Sequence, residues 1–283
     1  MTIAITKNVA HLRSIVAAAR GRGKTIGMVP TMGALHAGHG SLLRMAREET
    51  GFFIASIFVN PLQFGPGEDI GRYPRTWDQD VALCSETGTD CIFAPEPHDV
   101  YPQGFVTQVD VGSIGDVLEG QHRPGHFRGV ATVVLKLFNM VQPDIAYFGQ
   151  KDAQQVRVIQ QLVADLDLPI MLRIGPTIRE ADGLALSSRN RYLSPEERVS
   201  ARCLYAALDR AKMLRGQGAT SVASVEAAMR SVVDGTPRTK LDYVALVNPE
   251  TFQPVASLVG PVLALIAVRI GSTRLIDNLR LDA

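Results

Sequence analysis

Through the first two-thirds of the chain, short apolar runs rich in branched residues alternate with segments whose apolar positions recur at helical spacing. The runs at 25–29, 52–59, 90–94, 145–148 and 170–174 read as strands, each nearly continuous in apolar residues, as strands covered on both faces are. The segments 9–21, 41–50, 76–87, 129–141 and 153–166 place apolar residues three and four apart, the signature of a helix with one buried face. Strand, helix, strand in that order builds a parallel sheet with helices on both faces, a Rossmann-like α/β fold. After about residue 176 the pattern changes. A hairpin signal at Asp182-Gly183, a polar serine and arginine loop, helical patterns at 195–215 and 220–233, and three short strands ending near Asn278 describe a smaller α+β unit. The Gly175-Pro176 break sets the expected boundary, with a Rossmann-like domain at 1–176 and an α+β lid domain at 177–283.

Composition changes this picture little but removes several functions. The chain has 283 residues, 46% of them hydrophobic, enough for a sizeable core. Its 29 lysines and arginines nearly balance 28 aspartates and glutamates, so no broad basic field advertises nucleic acid or an anionic membrane. The stretch 1–7 lacks the basic and apolar regions of a signal peptide, and the longest apolar stretch, 255–268, is interrupted by Gly260 and Pro261. The cysteines Cys84, Cys91 and Cys203 are odd in number and form no C-x-x-C pair, which argues against a disulfide framework and against structural zinc. The expectation is a soluble protein of the reducing cytoplasm.

In open parallel sheets ligands sit at the carboxyl ends of the strands, which directs attention to the residues after Val29, Val59 and Phe148. After Val29 comes a glycine-flanked histidine pair, His36 and His39, at a strand-to-helix turn. The pair has three readings: a metal site, a packing accident, or donors aimed at a phosphate. A metal needs a third ligand that the local sequence does not supply, whereas a helix start is a natural anion site. After Phe148 comes Gly149, then Lys151 and Asp152 leading into a helix, with Gln155 four residues beyond the lysine on the same face. An ordinary capped surface helix would look the same. After Val59 comes Asn60-Pro61, then Gln63 and a glycine and proline loop running to Tyr73 and Arg75, of a length that is either functional or disordered. Beyond the domain break, Ser187, Ser188 and Arg189 form a donor-rich strip that hinge motion could bring over a nucleotide.

His36-Ala37-Gly38-His39 after Pro30-Thr31-Met32-Gly33 resembles the histidine signature of nucleotidyltransferases and class I aminoacyl-tRNA synthetases. Together with Val59-Asn60-Pro61-x-Gln63-Phe64, Tyr73-Pro74-Arg75, Arg123-Pro124-Gly125-His126-Phe127, Gly149-x-Lys151-Asp152 and Ser187-Ser188-Arg189-Asn190, it is similar to the pantothenate synthetases, the pantoate and beta-alanine ligases. The likeness runs in order over nearly the whole chain. Gly40, Gln150 and Leu186 depart from it, standing where that family usually has leucine, glutamate and methionine. None removes a group with assigned chemistry, although Gly40 could loosen the first helical turn.

The resemblance implies two half-reactions: the carboxylate of (R)-pantoate attacks the α-phosphate of ATP to give pantoyl adenylate and pyrophosphate, and the amine of beta-alanine then displaces AMP. It implies an ATP site formed by Met32, Gly33, Ala34, Leu35, His36, Ala37, Gly38 and His39, by Gly149, Gln150, Lys151 and Asp152, and by Ile178, Leu186, Ser187, Ser188 and Arg189. His36, His39, Lys151, Ser187, Ser188 and Arg189 would be the catalytic phosphate donors, with His39 also able to donate a proton to the leaving pyrophosphate. The two substrates would meet Gln63, Gln155, Asn60, Met32 and Tyr73. Neutral amides can hold the carboxylate without withdrawing electron density from the attacking oxygen, as a bidentate arginine would. Mg2+ is expected with ATP; its protein ligands stay open, Asp80 and Asp152 being candidates, while the plain reading of Asp80 is an exposed carboxylate in the first turns of a helix. Arg123, His126 and Arg128 either line the cleft or serve the loop or a homodimer contact. A different adenylyl-transferring enzyme, or a nucleotide-binding regulator without turnover, remains as an alternative.

Overall fold

The computed structural model describes residues 3–281. Its first part runs β1 (Ala4–Thr6), α1 (Val9–Gly21), β2 (Ile26–Thr31), α2 (Ala37–Glu49), β3 (Phe52–Ile57), α3 (Trp77–Glu86), β4 (Cys91–Phe93), the single turns α4 (Pro97–Val100) and α5 (Glu119–His122), α6 (His126–Val141), β5 (Ile145–Gly149), α7 (Ala153–Asp165) and β6 (Met171–Gly175). The six strands form one parallel sheet in the order β1-β4-β3-β2-β5-β6. Strand residues alternate between two cores. Met28, Ile54, Phe93, Ala146 and Phe148 face α1, α6 and α7, whereas Val29, Phe53, Ala55, Ile92 and Tyr147 face α2 and α3. This is the Rossmann-like α/β layering expected from the apolar runs.

The strand order reverses between β2 and β5, so the crevice beyond their carboxyl ends is the ligand position such a sheet offers. Pro30 sits inside β2 without harm. The even-numbered backbone groups of β2 face β5, as the bonds between Ile26 and Asp144 show, and the β2–β5 ladder stops at Met28.

The second part comprises α8 (Pro195–Ser200), α9 (Cys203–Gly216), α10 (Val222–Asp234) and an antiparallel sheet β7 (Thr239–Val247), β8 (Leu263–Ile270), β9 (Thr273–Arg280). Its core joins Leu204, Leu208, Val225 and Met229 to Val244, Ile266 and Val268. Packing divides the chain into two compact units. Among the described residues, one runs through Gln150 and includes Gln154–Pro176; the other holds Lys151–Ala153 and the residues from Thr177 onward. No helix of the described residues is long and apolar enough to cross a membrane.

Four details differ from the periodicity. The three residues of β1 are too few to show a period. The expected helix at 195–215 is two, and its link, Ala201 and Arg202, keeps helical dihedrals, so the apolar spacing carries straight across the break. The hairpin at Asp182-Gly183 is a tight turn closed by one isolated bridge, Arg179 to Ala185. Finally, α2 begins at Ala37, well before Ser41, because its cap is a histidine.

Candidate active site

The loop leaving β2 is held from several sides. The Thr31 hydroxyl donates to the Ser56 carbonyl (2.6 Å) and accepts from Gly33 N (3.1 Å). Gly33 (φ +79°) and Ala34 (φ +50°) then turn the chain through left-handed backbone, a conformation that strains every residue but glycine. Asp80 holds the turn in place: its carboxylate accepts from Ala34 N (3.0 Å), Leu35 N (2.8 Å) and the Thr76 hydroxyl (2.9 Å). Asp80 is 2% exposed, so it is neither a surface carboxylate nor a group open to Mg2+.

The histidine pair follows. His36 is the N-cap of α2, its Nδ1 accepting from Gly38 N (3.1 Å), and His39 Nδ1 accepts from His36 N (3.3 Å), a reciprocal capping box made of two imidazoles. A backbone N–H on Nδ1 requires the ring hydrogen to be on Nε2. Both rings are therefore fixed as Nε2–H donors, with centroids 4.2 Å apart, over a helix N-terminus. Both rings are partly exposed at the helix start. Among the described residues no three His, Cys, Asp or Glu side chains cluster to hold a metal ion. Gly40 does not loosen the turn: its N–H donates to the His36 carbonyl (3.0 Å) and the helix runs through it.

After β3, Asn60 caps the turn Pro61–Gln63. Its amide bonds Leu62 N (3.2 Å), the Gly129 carbonyl (3.1 Å), Gln63 Oε1 (3.1 Å) and the Tyr101 hydroxyl (2.7 Å), and it is 1% exposed, so it supports Gln63 from behind the surface. Gly129 has to be glycine here, because a Cβ would lie 2.2 Å from the Leu62 carbonyl oxygen. Gln63 Nε2 meets Met32 Sδ at 3.1 Å. Tyr73, 8% exposed, packs edge-on to Phe64. Of the three cationic candidates, Arg123 grips Glu68 through two hydrogen bonds (2.9 and 2.6 Å) and also donates to the Gln63 carbonyl (3.2 Å). Arg128 pairs with exposed Asp110.

His126 Nδ1 donates to the same Gln63 carbonyl (2.8 Å), and its Nε2 accepts from Arg123 (3.1 Å). Burial, then the Arg123 guanidinium, lowers its pKa to about 4, against smaller upward pulls from the Gln63 carbonyl, Glu68 and Glu119. The unfolded chain takes up this proton near pH 6.5 and the folded chain only near 4. The stabilisation is therefore complete above pH 6.5 and falls by about 3 kcal/mol as pH drops through that window. Urea unfolding from pH 7 to 4 should show the loss, and His126→Asn, which can still donate to Gln63, should flatten it. An unchanged slope in the variant would contradict the assignment.

After β5, Gly149 and the turn Gln150–Asp152 lead into α7. Gln155 is half-buried near the start of α7. Its neighbour Gln154 is wholly structural, bonding Ile114, Val117 and Glu119 backbone groups. Lys151 Nζ lies 3.6 Å from Asp152 Oδ1.

Lys151 belongs to the second unit, where Asn278 Nδ2 donates to its carbonyl (2.9 Å). Beside Asn278, buried Asp277 accepts both arms of Arg179, whose guanidinium stacks over Tyr205. Burial raises the Asp277 pKa, opposed by Arg179. Leu186 N donates to the Ile178 carbonyl, and Asn190 Nδ2 to the Ala185 carbonyl, shaping the strip that follows. Ser187 caps the turn Ser188–Tyr192 by accepting from Arg189 N (3.3 Å), which leaves its hydroxyl hydrogen as a donor; Ser188 is buried. Sequence reading passed over Asp80's structural role, Tyr101, Arg179, Asp277 and Asn278, none of which carries a local motif.

The comparisons with known proteins agree with one another. A family model described as pantoate-beta-alanine ligase matches residues 4–280. The pantothenate synthetase of Moorella thermoacetica is 52% identical over 98% of both chains. That of Agrobacterium fabrum is 52% identical over 97% of this chain and 94% of its own. Among solved structures, the pantothenate synthetase of Thermus thermophilus superposes with a TM-score of 0.94 at 48% identity, covering 99% of each chain. A pantoate-beta-alanine ligase of Francisella tularensis, solved in complex with beta-gamma ATP and beta-alanine, gives 0.83 at 34% identity over 100% of this chain and 99% of its own. With sequence, fold and the histidine-capped helix all pointing the same way across its length, the chain belongs to the pantoate-beta-alanine ligase family.

Proposed function

We propose that this chain, an ATP-using ligase, condenses (R)-pantoate with beta-alanine to give pantothenate, AMP and pyrophosphate, and that it does so through pantoyl adenylate. The observation that carries the adenylate step is the pair of imidazoles locked by backbone N–H groups as Nε2–H donors at the start of α2. In-line attack of a carboxylate on the α-phosphate builds charge on phosphoryl oxygens, which calls for fixed donors and not for a covalent nucleophile. His36 and His39 supply donors whose tautomers need no rearrangement as the charge develops. Lys151, Ser187 and Arg189 add a point charge, a hydroxyl and a guanidinium for the remaining phosphate oxygens. Gln63 and Gln155 address the pantoate carboxylate and hydroxyls. Asn60 acts through Gln63, and Tyr73 through the packing of the loop. Mg2+ would enter with the nucleotide substrate and would supply charge stabilisation to its phosphate oxygens.

Supplied with Mg-ATP, pantoate and beta-alanine, the chain should form AMP and pantothenate in equal amounts; ADP in place of AMP would overturn the reading. Gln63→Glu should raise the pantoate KM about tenfold or more, because a carboxylate then faces the substrate's own, with little change in the KM for ATP. An unchanged pantoate KM would remove Gln63 from the substrate site.

A further inference from the structure

The orientation of the Gln63 amide can be deduced from backbone groups around its neighbour. The Asn60 atom facing Leu62 N–H at 3.2 Å has to be oxygen, since an NH2 there would oppose donor to donor. The atom facing the Gly129 carbonyl at 3.1 Å has to be nitrogen. That same nitrogen lies 3.1 Å from Gln63, so the atom it meets is Oε1. The other arm of Gln63 is therefore Nε2, whose neighbour is the Met32 thioether, a weak acceptor. Donor capacity is left over on that arm, on a side chain otherwise enclosed.

Tyr101 completes the chain of logic. Its hydroxyl stands 2.7 Å from Asn60 Oδ1 and can only donate there. Its ring is held between Phe58 and Phe105, centroids 6.2 and 5.0 Å away, with the Lys136 ammonium 5.8 Å from the ring centroid. Burial raises the phenol pKa, which keeps the donor hydrogen in place.

We propose that Tyr101 is a positioning residue for pantoate: its hydroxyl locks Asn60, Asn60 claims Gln63 Oε1, and Gln63 therefore meets the substrate as an N–H donor. The inference rests on the reading of Gln63 as a pantoate contact. A donor at that point favours a carboxylate or hydroxyl oxygen and disfavours an N–H in the same place. Without the hydroxyl, only the backbone groups of Leu62 and Gly129 hold the Asn60 amide, so a swap of both amides, with Gln63 Oε1 turned toward the substrate carboxylate, costs less by the worth of one hydrogen bond. Phenylalanine at 101 would keep the ring packing and remove only the lock.

The test is a cycle of Tyr101→Phe, Gln63→Ala and the double variant in the full chain, with KM measured for each substrate. Tyr101→Phe should raise the pantoate KM about fivefold, the scale of one net hydrogen bond, leaving the KM for ATP and beta-alanine unchanged. Gln63→Ala should raise it further, and adding Tyr101→Phe should then change nothing, because the lock has lost its object. If Gln63→Ala leaves the pantoate KM unchanged, the reading of Gln63 fails and the inference falls with it. If Gln63→Ala acts but Tyr101→Phe does not, or if the two effects multiply in full, or if Tyr101→Phe raises all three KM values together, the inference alone is overturned.

Discussion

His39→Ala is expected to slow formation of the adenylate by about 10²-fold or more, the scale of losing one preorganised transition-state donor. His39 Nε2–H is fixed by the bond that His36 N donates to Nδ1, so the donor is in place before charge develops on the phosphate. The capping bond lost with the ring is worth about 1 kcal/mol, so the folded state should survive. His39→Gln separates the two effects: its amide can restore part of either interaction but cannot fix both the cap and the donor as one rigid ring does. Near-normal adenylate formation in His39→Ala, read in a single turnover without beta-alanine, would exclude the ring from the chemistry.

The second large effect belongs to a residue that touches no substrate in this scheme. Asp80→Ala should lower stability by about 3 kcal/mol or more, since it strips the acceptor from the buried N–H groups of Ala34 and Leu35. For a domain of this size that means a fall in Tm of about 6 °C or more. The turn it releases includes Ala34 at φ +50°, so the strained backbone relaxes and carries His36 with it. Activity should therefore fall at temperatures where the variant is still folded by circular dichroism. A variant with the parent Tm, or one that loses activity only in step with unfolding, would contradict this role.

The contrast between these two residues shows what could be read along the chain and what could not. Strands buried on both faces leave nearly continuous apolar runs, so the α/β core was legible from runs such as 52–59. The histidine pair was legible as a candidate site because glycines and a following helix surround it within a dozen residues. Its capping role was hidden, because histidine is not among the usual N-cap residues, so the apolar pattern started the helix at Ser41. Asp80 looked like a first-turn surface carboxylate; the two backbone N–H groups it holds lie more than forty positions earlier, and nothing local records that approach. The same distance hid Asn278, which bonds the Lys151 carbonyl from the far end of the chain. It also hid the clamp of Arg123 on Glu68, which orders a loop whose glycines and prolines alone suggested either function or disorder.

The central claim is that pantoate and ATP react first, before the amine arrives. Exchange of labelled pyrophosphate into ATP tests it directly. Exchange should proceed with pantoate present and beta-alanine absent, and should stop when pantoate is withdrawn. Exchange that appears only when beta-alanine is added would mean that no adenylate forms ahead of the amine, and would contradict the mechanism.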